Sequence, residues 1–240
     1  MFTWAVNQSS KKHNFKPVVK SVPEPVRVYD TVLLKKFDQL LVTLDFNKNE
    51  FCYEGKFNVM DGKDTTNNVR DLKFLFCRSG KSFYSKLGNV ETVNVNGTNV
   101  FVQHDMKRIV VSAMDYQAKS TINNLGQVIK TLKAEDYALI CSSSGGFKTI
   151  AMVNERHITC KELALTYDTL KNTLCNIKIR FTDFNDPANK KKERVMQMAI
   201  TKIQNTVRIK DYPGINNFIK YDNGKMVLLP RFSNYELIKL

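Results

Sequence analysis

Three charged residues have the types that a metal-dependent nuclease needs. Asp45 ends one apolar run, and Glu54 and Lys56 form a Glu-x-Lys pattern on the next. In such sites two carboxylates hold a divalent ion, while the lysine orients water or stabilises developing charge. Gly55 stands between Glu54 and Lys56, where a strand prefers a side chain. Despite Gly55, a metal-dependent nuclease is kept as an alternative hypothesis to the binding functions considered below.

Other motifs that carry chemistry are incomplete. Ser79-Gly80-Lys81-Ser82 matches only the end of a phosphate-binding loop, because Leu75 stands where the first glycine is required. His157 is close to Cys160, but a buried cysteine usually acts as a small hydrophobe. The chain has five cysteines without close pairs: Cys52, Cys77, Cys141, Cys160 and Cys175. This spacing disfavours a zinc site and a disulfide scaffold. We expect no catalytic residue, no metal site and no cofactor.

Charge is the strongest global feature of the sequence. Lysine and arginine number 37 against 23 acidic residues, which gives a formal net charge of +14. Such a surplus concentrates polyanions near the protein. Nucleic acid is the first candidate partner, since neutralised phosphates release counterions. An anionic membrane surface is the second. We therefore expect RNA or a ribonucleoprotein as partner, with an anionic membrane as the alternative.

Two basic segments are the candidate polyanion-binding sites. Residues 1–30 contain three prolines and predict a flexible arm with Lys11, Lys12, Lys16 and Lys20. A second segment lies between Pro187 and Asp211, where Glu193 is the one acidic residue. Its basic residues are Lys190, Lys191, Lys192, Arg194, Lys202, Arg208 and Lys210. Without a recognition motif for bases, binding through them is expected to follow the phosphate backbone.

The hydrophobic pattern predicts which elements position these residues. Strands are predicted at 40–46, 72–77, 90–95, 100–102, 109–114, 137–141, 147–153 and 177–181. A hairpin at 218–229 surrounds Asp222-Asn223-Gly224. Helices are predicted at 121–132, from apolar spacing, and at 159–171, from a Thr159–Glu162 capping box. The type of 195–203 stays open.

The predicted fold class is α+β, a mostly antiparallel β-sheet with two or three α-helices and a basic N-terminal arm. Residues 31–240 form a single domain in this interpretation, with a subdivision possible near 118–135. Residues 1–6 are too short for a signal peptide, and no apolar run is long enough to span a membrane. The expected location is the host cytoplasm or nucleus, or a virion, and not the secretory route.

Size, charge and strand-rich layout resemble viral matrix proteins, particularly those of rhabdoviruses. The similar features are the basic arm with prolines, Leu41-Val42-Thr43, Gly80-Lys81-Ser82-Phe83-Tyr84, and the closing hairpin. The resemblance implies a non-enzymatic structural protein that self-associates, binds the inner face of an anionic membrane and condenses a ribonucleoprotein. This is our leading hypothesis.

A second resemblance is to plant-virus movement proteins of the 30K superfamily. It rests on residues 57–79, the basic strand that follows, Tyr116 and the predicted helix from Thr121. This resemblance implies a movement or coat protein that binds single-stranded nucleic acid.

Overall fold

Alternating apolar and polar side chains organise most of the chain into strands. A computed structural model describes residues 29–113 and 134–240. The helix α1 spans Thr31–Val42. The strands are β1 Glu50–Asp61, β2 Val69–Ser79, β3 Ser82–Leu87, β4 Val90–Val95, β5 Thr98–Gln103, β6 Arg108–Ala113, β7 Ala138–Ser144, β8 Phe147–Val153, β9 Cys160–Asp168, β10 Thr173–Phe181, β11 Arg194–Gln204, β12 Ile219–Asp222, β13 Lys225–Leu228 and β14 Glu236–Lys239.

Twelve of these strands form one sheet, in the order β14-β6-β5-β4-β3-β2-β1-β11-β10-β9-β8-β7. Strands β1 to β6 form one meander of sequential hairpins, and β7 to β11 form another. The two meanders join where β1 pairs with β11 in antiparallel register, a junction that we call the seam. The edge strand β14 pairs in parallel with β6. Strands β12 and β13 form a separate hairpin.

The register gives the sheet two faces with different coverings. Phe51, Tyr53 and Phe74 point to the side on which α1 packs, which we call the helix face. Tyr84 and Val93 point to the side covered by residues 209–235, which we call the tail face. Each face has its own hydrophobic core: the core on the helix face includes residues of β1, β2 and β7 to β11, and the core on the tail face includes residues of β3 to β6.

Helix α1 overturns the strand predicted at 40–46. Leu33, Leu34, Phe37, Leu40 and Leu41 recur at helical spacing, and all five contribute to the core on the helix face. The Asp30 side chain caps the helix by accepting hydrogen bonds from the backbone N–H groups of Val32 and Leu33. The apolar run at the end of this segment is therefore one stripe of an amphipathic helix.

Strand β9 overturns the helix predicted at 159–171. Its side chains alternate between the faces, and Leu163 and Leu165 are buried against β8 and β10. The α+β class with two or three α-helices is wrong for this chain. The described residues are mostly β, and α1 is the single α-helix that lies wholly within them. The helix predicted at 121–132 lies outside the described residues.

The remaining strand predictions within the described residues are confirmed. Strands β2, β4, β5, β6, β7, β8 and β10 coincide with the predicted segments, and the open segment 195–203 is part of β11. The hairpin at 218–229 is also confirmed, as β12 and β13. Its turn residues Asn223 and Gly224 have φ of 48° and 75°, the left-handed backbone that this turn type requires.

The predicted arm at 1–30 lies outside the described residues except for its last two positions. Tyr29 and Asp30 belong to the fold: the Tyr29 hydroxyl donates to the Tyr137 carbonyl at 2.7 Å. The subdivision considered near 118–135 falls almost wholly outside the described residues.

Cysteine pairing differs from the expectation drawn from sequence spacing. Cys52 on β1 and Cys77 on β2 lie opposite each other, with a Cα–Cα distance of 4.1 Å, and form a disulfide. The strand register brings them together, which linear spacing does not reveal. Cys141, Cys160 and Cys175 are free.

Gly55 lies at a β-bulge in the seam, where the pairing shifts between Glu54 and Gly55. A Cβ at this position would lie 2.0 Å from the Ala199 carbonyl oxygen and 2.8 Å from the Phe74 ring. We expect Gly55→Ala to lower the free energy of unfolding by about 1–3 kcal/mol, because backbone must shift to admit the methyl group. Urea denaturation followed by circular dichroism measures this.

Gly214→Ala is the matched control for this substitution. Its φ is −98°, and the nearest atom to an added Cβ is 3.9 Å away. Equal stability of the two variants would contradict the close approach at the seam.

Candidate functional site

Beside the part of the tail face that residues 209–235 cover lies a cleft of about 610 Å³. Its floor is formed by β1 and β2, and its ends by β3 and by Thr201 of β11. Four basic side chains line it, and we call it the basic cleft: Lys56, Arg70, Lys73 and Lys86. Glu54 and Asp71 are the acidic residues of the lining. Positive charge is therefore in excess.

The strand register places two lysines side by side in this cleft. Lys56 of β1 and Lys73 of β2 are direct antiparallel partners, so their side chains leave the same face of the sheet at neighbouring positions. Like charges directly opposite each other destabilise a sheet. An anion bound between them would relieve that repulsion.

Lys56, Arg70 and Lys73 have at most a weak counter-charge among the described residues. Lys56 Nζ lies 3.2 Å from Asp71 Oδ1, but both side chains are exposed, and such pairs contribute about 0–1 kcal/mol. Arg70 and Lys73 form no ion pair among the described residues. The cleft thus contains two cations that are available to a ligand.

A buried hydrogen-bond network holds Lys86, the basic residue that β3 contributes to the cleft. Lys86 Nζ donates to Glu91 at 2.7 Å, and Glu91 also accepts hydrogen bonds from the Tyr84 hydroxyl at 3.0 Å and His104 Nε2 at 3.1 Å. Burial raises the pKa of Glu91, but these hydrogen bonds outweigh it and the net pKa lies below the ordinary value. Glu91 is therefore ionised and anchors Lys86.

Gly88 shapes the rim of the cleft. Its φ is +57°, and an added Cβ would lie 2.4 Å from Leu72 Cδ1. The Gly88 N–H donates to the Lys73 carbonyl at 2.9 Å, which holds the β3–β4 turn against β2. The turn therefore stands beside the Lys73 side chain.

Carboxylates contact three of the four basic residues in the predicted cluster at 190–194. Lys190 pairs with Glu155 at 3.2 Å and Lys192 with Asp186 at 2.9 Å. Arg194 pairs with buried Asp61 at 2.6 Å, and this hydrogen bond lowers the pKa of Asp61 to about 2. In this cluster Lys191 alone has no ion pair among the described residues. Asp61 is the buried carboxylate among these three, whereas the pairs of Lys190 and Lys192 are exposed, like that of Lys56.

Three other predicted residues lie on the tail face near the basic cleft. Lys202 of β11 is opposite Glu54 in the register of the seam. Arg208 precedes a short 3-10 turn, Ile209–Asp211, that contains Lys210 and packs on β2 and β3. Arg208 pairs with Asp211 at 3.3 Å, at an exposed position. The arm lysines Lys11, Lys12, Lys16 and Lys20 lie outside the described residues.

The residues of the nuclease hypothesis do not converge. The Tyr53 hydroxyl donates to the Thr43 carbonyl at 3.0 Å and to the Asp45 carbonyl at 3.4 Å, on the helix face. Glu54 is the next residue of the strand and points to the opposite face. In the described part of the chain, no group of three metal-ligating side chains comes together. The structure therefore does not bring Asp45 and Glu54 together into the two-carboxylate site that the nuclease hypothesis requires.

The weaker motifs have structural roles. Ser79 and Ser82 pair across the two-residue turn between β2 and β3, so Gly80 and Lys81 form a hairpin tip. His157 Nδ1 accepts the backbone N–H of Cys160 at 3.1 Å, and does not face its thiol. Burial raises the pKa of the Cys160 thiol, which opposes nucleophilic use.

Sequence reasoning did not single out Arg70, Lys73 or Lys86 as binding residues. Each lies in a strand or at its start, separated in sequence by apolar residues, and none forms a charge run. The one available signal was the position of Lys73 between Leu72 and Phe74, which puts Lys73 on the face opposite to these two apolar side chains.

No helix within residues 29–113 and 134–240 has the length and apolar character needed to cross a membrane.

Comparisons with known proteins identify no family. No family model matches the chain, and no curated protein matches it. Among solved structures, a DUF1329 family protein from Desulfovibrio piger is similar to 73% of this chain and 92% of its own, at 7% sequence identity. Its TM-score of 0.28 is too low to support an argument about fold or function.

Proposed function

We propose that this chain is a non-enzymatic polyanion-binding protein that uses the basic cleft to bind the phosphates of single-stranded RNA. The observation that carries the proposal is the pairing of Lys56 with Lys73 on one face of the sheet, beside Arg70. This arrangement costs stability in the free protein, because adjacent like charges oppose strand pairing. A phosphate placed between the lysines removes the repulsion and gains charge-assisted hydrogen bonds.

The surroundings support contact with a chain of phosphates more than with a single one. Lys202, Arg208 and Lys210 lie on the same face, so cations continue beyond the cleft. Phosphates of a nucleic-acid strand repeat along its length, and a row of lysines and arginines follows them without reading bases. We therefore expect the protein to bind single-stranded RNA with little preference for its base sequence.

The test is binding of purified protein to fluorescent single-stranded RNA across a salt series. Removing one phosphate contact reduces the salt slope by about 0.7 for a single strand. We expect Arg70→Gln/Lys73→Gln to weaken binding about tenfold and to reduce the slope by about 1.4, since two contacts are lost.

The matched control removes the same charge from the predicted cluster. Lys190→Gln/Lys192→Gln is expected to weaken binding less than the cleft variant, because Lys190 and Lys192 each contact a carboxylate, whereas Arg70 and Lys73 form no ion pair among the described residues. A larger loss in this control than in the cleft variant would place the binding surface at 190–194 instead. Unchanged binding in both variants would contradict the proposal.

An anionic lipid surface is the competing source of phosphate. Vesicles with and without phosphatidylserine, assayed with the same variants, distinguish it from RNA: loss of vesicle binding without loss of RNA binding would assign the cleft to lipid headgroups. The matrix-type and movement-protein roles, and an intracellular or virion location, stay predictions that no comparison tests.

A further inference from the structure

Strand β7 ends the twelve-stranded sheet at one side. One of its edges pairs with β8, in a regular register that runs from Ala138 opposite Val153 to Ser144 opposite Phe147. Its other edge pairs with no strand among the described residues. The backbone N–H and C=O groups along that edge are therefore a template for a further strand.

Within residues 29–113 and 134–240, this edge lacks the features with which proteins protect an open strand. It is seven residues long, with the sequence Ala-Leu-Ile-Cys-Ser-Ser-Ser, and contains no charge and no proline. Its pairing with β8 has no bulge that would twist it away. Ile140 is 50% exposed, and Cys141 is exposed as well. An open, uncharged and regular edge favours association.

The opposite edge of the sheet shows the contrast. Strand β14 has four residues, and Glu236 and Lys239 stand at its two ends. Glu236 is already paired with Arg108 at 3.0 Å. A short strand with charged ends is protected against further pairing, so the two edges of this sheet differ in kind.

We propose that β7 pairs with β7 of a second copy of this chain, in antiparallel register about a two-fold axis. A full overlap of the seven residues centres on Cys141, which then lies opposite its own copy. Ile140 lies opposite Ser142 of the second copy, and the two Ile140 side chains become diagonal neighbours on one face. The pairing joins two sheets into one and covers the exposed Ile140.

The sequence of β7 suits a copy of itself better than a charged peptide. No like charges meet in this register, since the strand carries none, and small serines face the larger side chains without crowding. The net charge of +14 repels whole molecules. At about 150 mM salt, the repulsion between exposed charges more than roughly 8 Å apart is largely screened. The inference does not depend on the basic cleft.

The test is sedimentation velocity of the full chain, with reductant, across a concentration series. We expect wild type to dimerise and Cys141→Lys to weaken dimerisation about tenfold or more, because it places two lysines opposite each other on the axis. Met106→Lys adds the same charge at an exposed turn far from β7 in the strand order, and should dimerise as wild type does.

A second measurement fixes the register. Antiparallel partners lie about 4.5–5.5 Å apart at Cα, a distance that a disulfide spans. Mild oxidation should therefore cross-link wild type through Cys141, and Cys141→Ser should dimerise without cross-linking. A wild type that stays monomeric, or a Cys141→Lys variant that dimerises as well as wild type, would overturn the inference. Because no RNA is present, failure here is independent of failure in the RNA-binding assay.

Discussion

Replacing Lys161 with methionine is expected to lower the free energy of unfolding by about 3 kcal/mol. Its side chain is 2% exposed, and its ammonium group donates to Glu193, itself 6% exposed, at 2.9 Å and to the Pro187 carbonyl at 2.7 Å. Removing one partner of a buried ion pair leaves the other charge without compensation. Arg180 still contacts Glu193 at 3.0 Å, which limits the loss.

Another lysine of the same network provides the control. Lys190 pairs with Glu155 at 3.2 Å, but the side chains are 70% and 45% exposed. We expect Lys190→Met to cost less than about 1 kcal/mol, because exposed pairs contribute little. Guanidinium denaturation measures both variants, and equal costs would show that burial does not set the strength of these pairs.

The second large effect is expected at Phe37. This side chain is 0% exposed and packs at the centre of the contact between α1 and the sheet. Phe37→Ala removes most of a buried aromatic ring and leaves a cavity, so we expect a loss of about 3–5 kcal/mol in the free energy of unfolding. Urea denaturation followed by circular dichroism provides the measurement.

Val32 lies on the same helix but is 73% exposed. Val32→Ala is expected to change stability by less than about 0.5 kcal/mol, because it removes little buried surface. A Phe37→Ala variant as stable as Val32→Ala would contradict the packing of α1 on the helix face.

Helix α1 shows why short apolar runs mislead. Residues 40–46 contain leucine, valine and phenylalanine in sequence, and a window of that length fits a strand. The helical spacing becomes visible only when Leu33, Leu34 and Phe37 are included, together with the cap at Asp30. A longer window would have predicted this element.

The helix predicted at 159–171 was wrong for a different reason. Thr159 and Glu162 have the spacing of a capping box, but the segment that follows also alternates, with Leu163 and Leu165 on one face. Neighbouring strands on both sides supply hydrogen bonds and apolar surface, and this tertiary context decides the outcome. Turns were predictable because Asn223-Gly224 acts locally.

The candidate site was less predictable than the strands around it. A run such as Lys190–Lys192 is conspicuous in sequence, yet the fold gives Lys190 and Lys192 carboxylate partners, and one of them, Glu155, is distant in sequence. Lys56 and Lys73 form no run, and only the pairing of β1 with β2 brings them together. Local sequence shows charge, whereas register decides which charges remain free.

The seam between β1 and β11 has a consequence for synthesis on the ribosome. Strand β1 emerges early, but its partner β11 follows only after β2 to β10 have been made. The first meander therefore waits with β1 as an open edge while the second is translated, at about 5–20 residues per second. Glu54 and Lys56 carry charge along that waiting edge, and charged edges resist pairing with neighbouring nascent chains. The same polar residues that border the basic cleft in the finished protein thus protect the incomplete sheet from aggregation during synthesis.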